Sequence, residues 1–193
     1  GVHIHIIDAE LMGKGEKEKK DLYIEGVQNN GIINHYEYII NSEGTIEIRH
    51  VLKPEGKMPL WFPRIGLTLT VSDALDQVKW YGRGPQENYP DRKTGYPTGI
   101  YASTVQAMYE PYLMPQDYGL RTDVRWLQLT TDKGIGLQFK MNEWFNFNIY
   151  PYSTDNLTKA MYTYQLQKQK GMTLNLDYAT TGVGCTARGV FGA

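Results

Sequence analysis

Ile65-Gly-Leu-Thr-Leu-Thr-Val-Ser72 alternates without a break: Ile65, Leu67, Leu69 and Val71 fall on one side, Gly66, Thr68, Thr70 and Ser72 on the other. Successive side chains of a strand point to opposite faces, so this stretch reads as a β-strand with one face in a core. The same reading extends in both directions. Upstream, Ile32 to Ile40 (IINHYEYII) and Thr45 to Leu52 (TIEIRHVL) flank the turn Asn41-Ser42-Glu43-Gly44. Further back lie two more candidate strands, His3 to Ile6 and Asp21 to Val27, and the hairpin signal Asn30-Gly31. Downstream come Asp76 to Tyr81, Val124 to Thr131, Ile135 to Met141, Phe145 to Tyr150 and Met172 to Tyr178. Ser153 to Lys159 is the one helix start, with Ser153 or Thr154 as N-cap. Short strands separated by turn signals make the chain all-β and antiparallel, a sandwich or barrel, expected as a single domain over residues 1–193.

Composition narrows the function classes. Twenty Lys and Arg balance 21 Asp and Glu for a formal net charge of −1. That is not the basic excess of a nucleic-acid protein, and it offers nothing to an acidic membrane surface. The longest charge run, Lys14 to Asp21 (KGEKEKKD), is mixed and reads as a solvated loop or linker. No apolar run approaches the ~18 residues of a membrane-crossing helix. A lone cysteine, Cys185, cannot form a disulfide within the chain. The compartment stays open between cytoplasm and periplasm. Fifteen Tyr and 4 Trp suit a sandwich core and a sugar-binding surface equally.

Chemistry has few places to sit. The histidines are His3, His5, His35 and His50; His3 and His5 share a strand face, but two ligands are no metal site, and none is assigned. Gly82 to Gly99, with three prolines and four glycines, reads as one long ordered loop, a length that usually marks a functional or binding surface. Its first part, Trp80 to Gly95 (WYGRGPQENYPDRKTG), gathers Trp80, Arg83, Glu87, Tyr89, Asp91 and Arg92 between residues that restrict the backbone. Those groups either bind sugar hydroxyls and ring faces, or pair with one another and brace the loop against the sheet. Glu87 and Asp91 raise the question of a glycosidase pair, but a spacing of four in an irregular loop does not set the ~5–5.5 Å that a retaining pair needs. No catalytic residue is assigned in this chain.

The segment Gly82-x-Gly84-Pro-Gln-Glu-Asn-Tyr-Pro-Asp-Arg92 closely resembles one in the C-terminal domain of bacterial β-galactosidases of glycoside hydrolase family 2. Flanking stretches are similar too: Pro63 to Gly66, Met108 to Tyr112 with Pro115, Gln116 and Gly119 to Arg121, Phe145 to Ile149 with Tyr152, Ser153 and Leu157, Asn175 to Asp177, and Gly182 to Gly184. The resemblance implies an antiparallel supersandwich like that of galactose mutarotases. It implies that the catalytic glutamates, and the family's Mg and Na ions, belong to other domains, so no cofactor is expected in this chain. The implied partners are those remaining domains, a galactoside substrate and further copies of a homo-oligomeric parent.

The segment after Gly184 is where the family's domain reaches the sugar pocket with a Trp. Here Cys185-Thr-Ala-Arg-Gly189 stands instead, and Cys185 and Arg188 are the candidate substrate contacts. Residues 1–20 do not match the family's opening segment, so the chain is expected to be an excised piece lacking the domain's first strands. Three readings follow. One is an accessory domain of a retaining β-galactosidase, inactive alone, that buttresses the catalytic barrel and helps wall its pocket. Another is an independent carbohydrate-binding module. The third is an aldose epimerase-like enzyme, using His35 or His50 with Glu37 or Glu47.

Overall fold

A computed structural model describes residues 31–56 and 62–181. Contacts divide the chain into two compact units, with the first described segment in one and the second in the other. The smaller holds a hairpin, β1 (Gly31–Ile40) and β2 (Ile46–Glu55), antiparallel and in unbroken register from Gly31 opposite Glu55 to Ile40 opposite Ile46. Its turn is the Asn-Ser-Glu-Gly read from the sequence. Asn41 closes it, its side-chain oxygen accepting from the backbone N–H of Glu43 at 3.1 Å and of Thr45 at 3.0 Å. Gly44 follows at φ 84, a conformation that costs glycine little. The strand candidates at His3 to Ile6 and Asp21 to Val27, and the Asn30-Gly31 turn signal, rest on residues outside those described.

The larger unit is the sandwich. Its strands are β3 (Arg64–Val71), β4 (Gln77–Arg83), β5 (Thr98–Thr104), β6 (Arg121–Val124), β7 (Trp126–Thr130), β8 (Gly136–Phe139), β9 (Phe145–Tyr150) and β10 (Met172–Thr180). A short α-helix, α1 (Thr154–Lys159), and a 3-10 turn, Thr163–Gln165, sit between the last two. The strands form two antiparallel sheets, ordered β3-β10-β9-β6 and β5-β4-β7-β8. The stretch that opens the sequence reading is β3, and its partner along the whole length is the C-terminal β10.

Alternation in both sheets builds the core between them. Leu69 and Val71 of β3, Met172, Leu174 and Leu176 of β10, and Phe145, Phe147 and Ile149 of β9 meet Val78 and Trp80 of β4 and Leu127 and Leu129 of β7. Trp80, Leu127, Leu129, Phe147 and Leu174 are wholly buried. Trp80 meets Phe147 edge to face across the sheets at 5.9 Å.

The other face of the first sheet is covered as well. Tyr150 leaves the core side and joins Tyr118 and Leu157 in a second, tyrosine-rich cluster with Tyr109, Tyr112, Tyr152 and Leu166 around it. Helix α1 supplies Leu157, and its N-cap Ser153 accepts from the Asn156 N–H at 3.0 Å.

Two elements differ from the sequence reading. Gly82 and Gly99 are not loop residues: they pair with each other where β4 meets β5, so the loop is confined to residues 84–97. A Cβ on Gly82 would stand 2.8 Å from the Val124 side chain, so its glycine serves close packing and not a turn. The second difference is β6, a short strand whose register against β9 shifts between Arg121 and Val124. Asp123 lies in that irregularity at φ 54, a left-handed conformation that Asp tolerates better than most residues.

Candidate functional site: a braced loop and a buried polar row

The loop leaves β4 at Arg83 and turns at once through a cis Gly84–Pro85 bond. Its two ends are clamped from the strands beneath. The Trp80 indole N–H donates to the Arg83 carbonyl at 3.0 Å. Arg83 itself donates to the carbonyls of Lys93 at 3.1 Å and Tyr96 at 2.9 Å, tying the loop's start to its finish. Its Nε meets the Asp123 carboxylate at 2.6 Å, and Lys93 meets the same carboxylate at 2.8 Å. Burial would raise the Asp123 carboxyl, but the hydrogen bonds from Arg83 and Lys93 win and hold it below the ordinary range. The bulge in β6 thus aims a carboxylate between two cations of the loop.

The middle of the loop turns inward. Glu87, Asn88 and Tyr89 are consecutive and all buried. Asn88 is shared with β6: its side-chain oxygen accepts from the Thr122 N–H at 3.1 Å and hydroxyl at 2.5 Å, and its backbone N–H donates to the Leu120 carbonyl at 2.8 Å. Glu87 accepts from the Gly119 N–H at 2.8 Å, from the Tyr89 hydroxyl at 3.4 Å, and from Arg92 and the Tyr112 hydroxyl. Burial first, then the Glu87 hydrogen bond, pushes the Tyr112 hydroxyl above its ordinary value, so it stays a donor at neutral pH. Arg92 lies over the Tyr89 ring at 4.8 Å.

Arg121 completes the frame from below. It is 3% exposed, donates to the Pro85 carbonyl at 3.1 Å and the Gly119 carbonyl at 2.9 Å, and lies over the Trp80 ring at 5.4 Å. Burial pulls its guanidinium down to about 10, still charged at neutral pH.

Of the six loop residues singled out from the sequence, Trp80, Arg83, Glu87, Tyr89 and Arg92 are joined in this network. Asp91 is not: it is exposed, and among the described residues it forms no ion pair. Glu87 and Asp91 therefore sit in opposite environments, one buried among four donors and the other in solvent. The partners that the sequence reading missed are Asp123, Thr122, Arg121 and Tyr112. The first three share the short irregular strand β6, whose four residues show no alternation of their own.

A second polar cluster lines the outer face of the β3-β10-β9-β6 sheet. Asn148, Asn175 and Asp177 are at most 1% exposed. Asn175 donates to Asn148 at 2.8 Å and to the Tyr150 hydroxyl at 3.0 Å, and accepts from Thr68 at 2.8 Å. Asn148 and Tyr150 in turn donate to Asp117 at 2.9 and 3.0 Å. Arg64 reaches Asp117 at 3.3 Å and Asp177 at 3.0 Å. Apart from that Arg64 ion pair neither Asp177 oxygen has a partner among the described residues, so burial outweighs Arg64 and lifts its carboxyl to about 7. The carboxylate fits there because residue 66 lacks a side chain: a Cβ on Gly66 would stand 2.7 Å from an Asp177 oxygen.

The hairpin's titratable groups pair differently. Arg49 takes both Glu47 at 2.9 Å and Glu37 at 3.2 Å on an exposed face. His50 lies on the other face, stacked on Tyr36 at 4.2 Å and 3.0 Å from the Asn34 oxygen. His35 is exposed opposite Val51. The two carboxylates of the epimerase reading are thus engaged by arginine. Cys185 and Arg188, the candidate substrate contacts, lie outside the described residues. Among the described residues no group of three or more His, Cys, Asp or Glu side chains is placed to hold a metal ion.

Comparison with known proteins places this architecture. The family described as "Beta galactosidase small chain" matches residues 6–190. The chain is 38% identical over 147 residues to the "Beta-galactosidase" of Priestia megaterium, covering 76% of this chain and 14% of that protein. It is 39% identical over 122 residues to that of Vibrio cholerae, covering 63% and 11%, and 34% identical over 148 residues to that of Pseudoalteromonas haloplanktis, covering 76% and 14%. The chain thus spans about a seventh or less of the length of these relatives. The all-β antiparallel sandwich, the loop clamped across it and the match over almost the whole sequence agree: this chain belongs to the β-galactosidase small-chain family.

Proposed function

We propose that this chain is the C-terminal accessory domain of a β-galactosidase, supporting a catalytic barrel that lies elsewhere in the same enzyme. The observation that carries this reading is the environment of Glu87. The buried carboxylate of the family-like motif accepts from Arg92, Tyr112, Tyr89 and the Gly119 N–H, and a carboxylate so occupied is a brace. A glycosidase needs two carboxyl groups flanking a scissile bond, one of them free to give up a proton. Asp91, in solvent, does not complete such a pair with Glu87.

In this proposal the parent enzyme hydrolyses terminal β-D-galactosides by double displacement, with both carboxylates and any Mg or Na ions held by its other domains. Cys185 and Arg188 contact the substrate and help wall the sugar pocket of that enzyme, and the parent assembles as a homo-oligomer. The test is hydrolysis of nitrophenyl β-D-galactoside by the purified chain. The expected result is no turnover above buffer. Turnover that survives repurification and vanishes in Glu87→Gln would overturn the proposal, because Glu87 would then be a reacting group.

A further inference from the structure

The outer face of the β5-β4-β7-β8 sheet carries one row out of character. An antiparallel sheet with one face on a core normally shows polar side chains on the other. The row Lys79, Gln128, Gln138 does so, in register across β4, β7 and β8. The next row toward the loop is Ile100, Tyr81 and Trp126, in register across β5, β4 and β7. Ile100 is 62% exposed and Tyr81 37%. Arg125 and Trp144 extend the row beyond its end. The Arg125 N–H donates to the Tyr81 carbonyl at 2.7 Å, and its guanidinium lies 5.2 Å from the Tyr81 ring centre and 3.9 Å from that of Trp144. Trp144 is itself 60% exposed.

We infer that Ile100, Tyr81, Trp126, Arg125 and Trp144 form the surface through which this sandwich docks on the catalytic domain of its own polypeptide. The inference rests on the accessory reading above and names the face that reading requires. Trp, Tyr and Arg are the residues over-represented at the energetic centres of interfaces, and here they adjoin one another. Relatives of this chain are about seven times its aligned length or more, so most of such a polypeptide lies outside it and needs a surface here to pack on.

The patch is also continuous with the braced loop. Arg125 donates to the Asp123 carbonyl at 2.5 Å, and the Asp123 carboxylate holds Arg83 and Lys93. Asp123 thereby joins the braced loop to the row. A sugar platform fits less well, because Arg125 already lies over the rings of both Tyr81 and Trp144, where a pyranose would stack.

Hydroxyl-radical labelling of the intact polypeptide, read residue by residue, tests this. Buried Trp80 and exposed Tyr164 set the slow and fast limits. Docking predicts that Trp144 labels as slowly as Trp80, and that Ile100→Glu restores fast labelling of Trp144. Trp144 labelling as fast as Tyr164 overturns the inference, and so does Ile100→Glu without effect. Protection that appears only at high protein concentration assigns the patch to a second copy. Protection that appears only with added galactose assigns it to sugar; either result overturns docking. Galactosidase activity is measured on the same sample. Its absence would sink the accessory reading, whereas activity with an unprotected Trp144 would sink only the docking face.

Discussion

Glu87 and Asp177 are both buried carboxylates, and their surroundings give them opposite energetic signs. Glu87 has a donor for each lone pair it turns inward, so it holds Arg92, Tyr112 and the turn at Gly119 together. Glu87→Gln keeps the shape but gives Arg92 a neutral partner and turns an amide toward the Gly119 N–H or the Tyr112 hydroxyl. The expected cost is about 1–3 kcal/mol, read as a lower midpoint in urea unfolding. A midpoint equal to that of the parent chain would show that the network does not brace the loop. Asp177 has the Arg64 ion pair as its one partner among the described residues, and its carboxyl stands near 7 where an ordinary aspartate stands at 3.8. The folded chain therefore keeps a proton that the unfolded chain releases as pH rises from about 4 to 7. In that window the Asp177 contribution makes stability fall, by a total on the order of 4 kcal/mol. Asp177→Asn imitates the protonated form and is expected to flatten this fall. Unfolding of both proteins at pH 5 and pH 8 checks it, and parallel pH slopes would contradict the assignment.

At the scale of elements, strands with strict alternation were legible and strands without it were not. β3, β4, β7, β9, β10 and the β1–β2 hairpin all stand where period-two patterning and turn residues put them, to within a few residues. β5 begins Thr-Gly-Ile-Tyr, and its glycine-proline surroundings read as loop; only its pairing with β4 makes it a strand. β6 is four residues with a register shift, too short and irregular to show a period. The loop's richness in hydrogen-bonding groups was visible in sequence, but its anchors were not, since Asp123 lies thirty residues beyond Lys93 and on that same irregular strand. Gly66 carries a further prediction. A Cβ there would stand 2.3 Å from the Leu176 carbonyl oxygen and 2.6 Å from the Asp177 Cα, both backbone atoms of β10. Gly66→Ala must then push β3 from β10, and the expected loss is on the order of 1–3 kcal/mol, visible in a thermal melt. An unchanged melt would mean the two strands pair less closely than the structure shows.

At the scale of the whole molecule, the sandwich spends its buried polar groups on holding itself in shape. Among the described residues, the rings of Tyr81, Trp126 and Trp144 beside Arg125 lie next to the clamped loop, the kind of cluster that centres an interface. In the proposed accessory role, the chain supports galactoside hydrolysis by the parent without performing it. The direct measurement is hydrolysis of nitrophenyl β-D-galactoside by three samples: the intact parent polypeptide, the parent lacking residues 62–181, and this chain alone. The account predicts turnover by the intact parent only. Turnover by the chain alone, or a shortened parent that keeps its full rate, would contradict it.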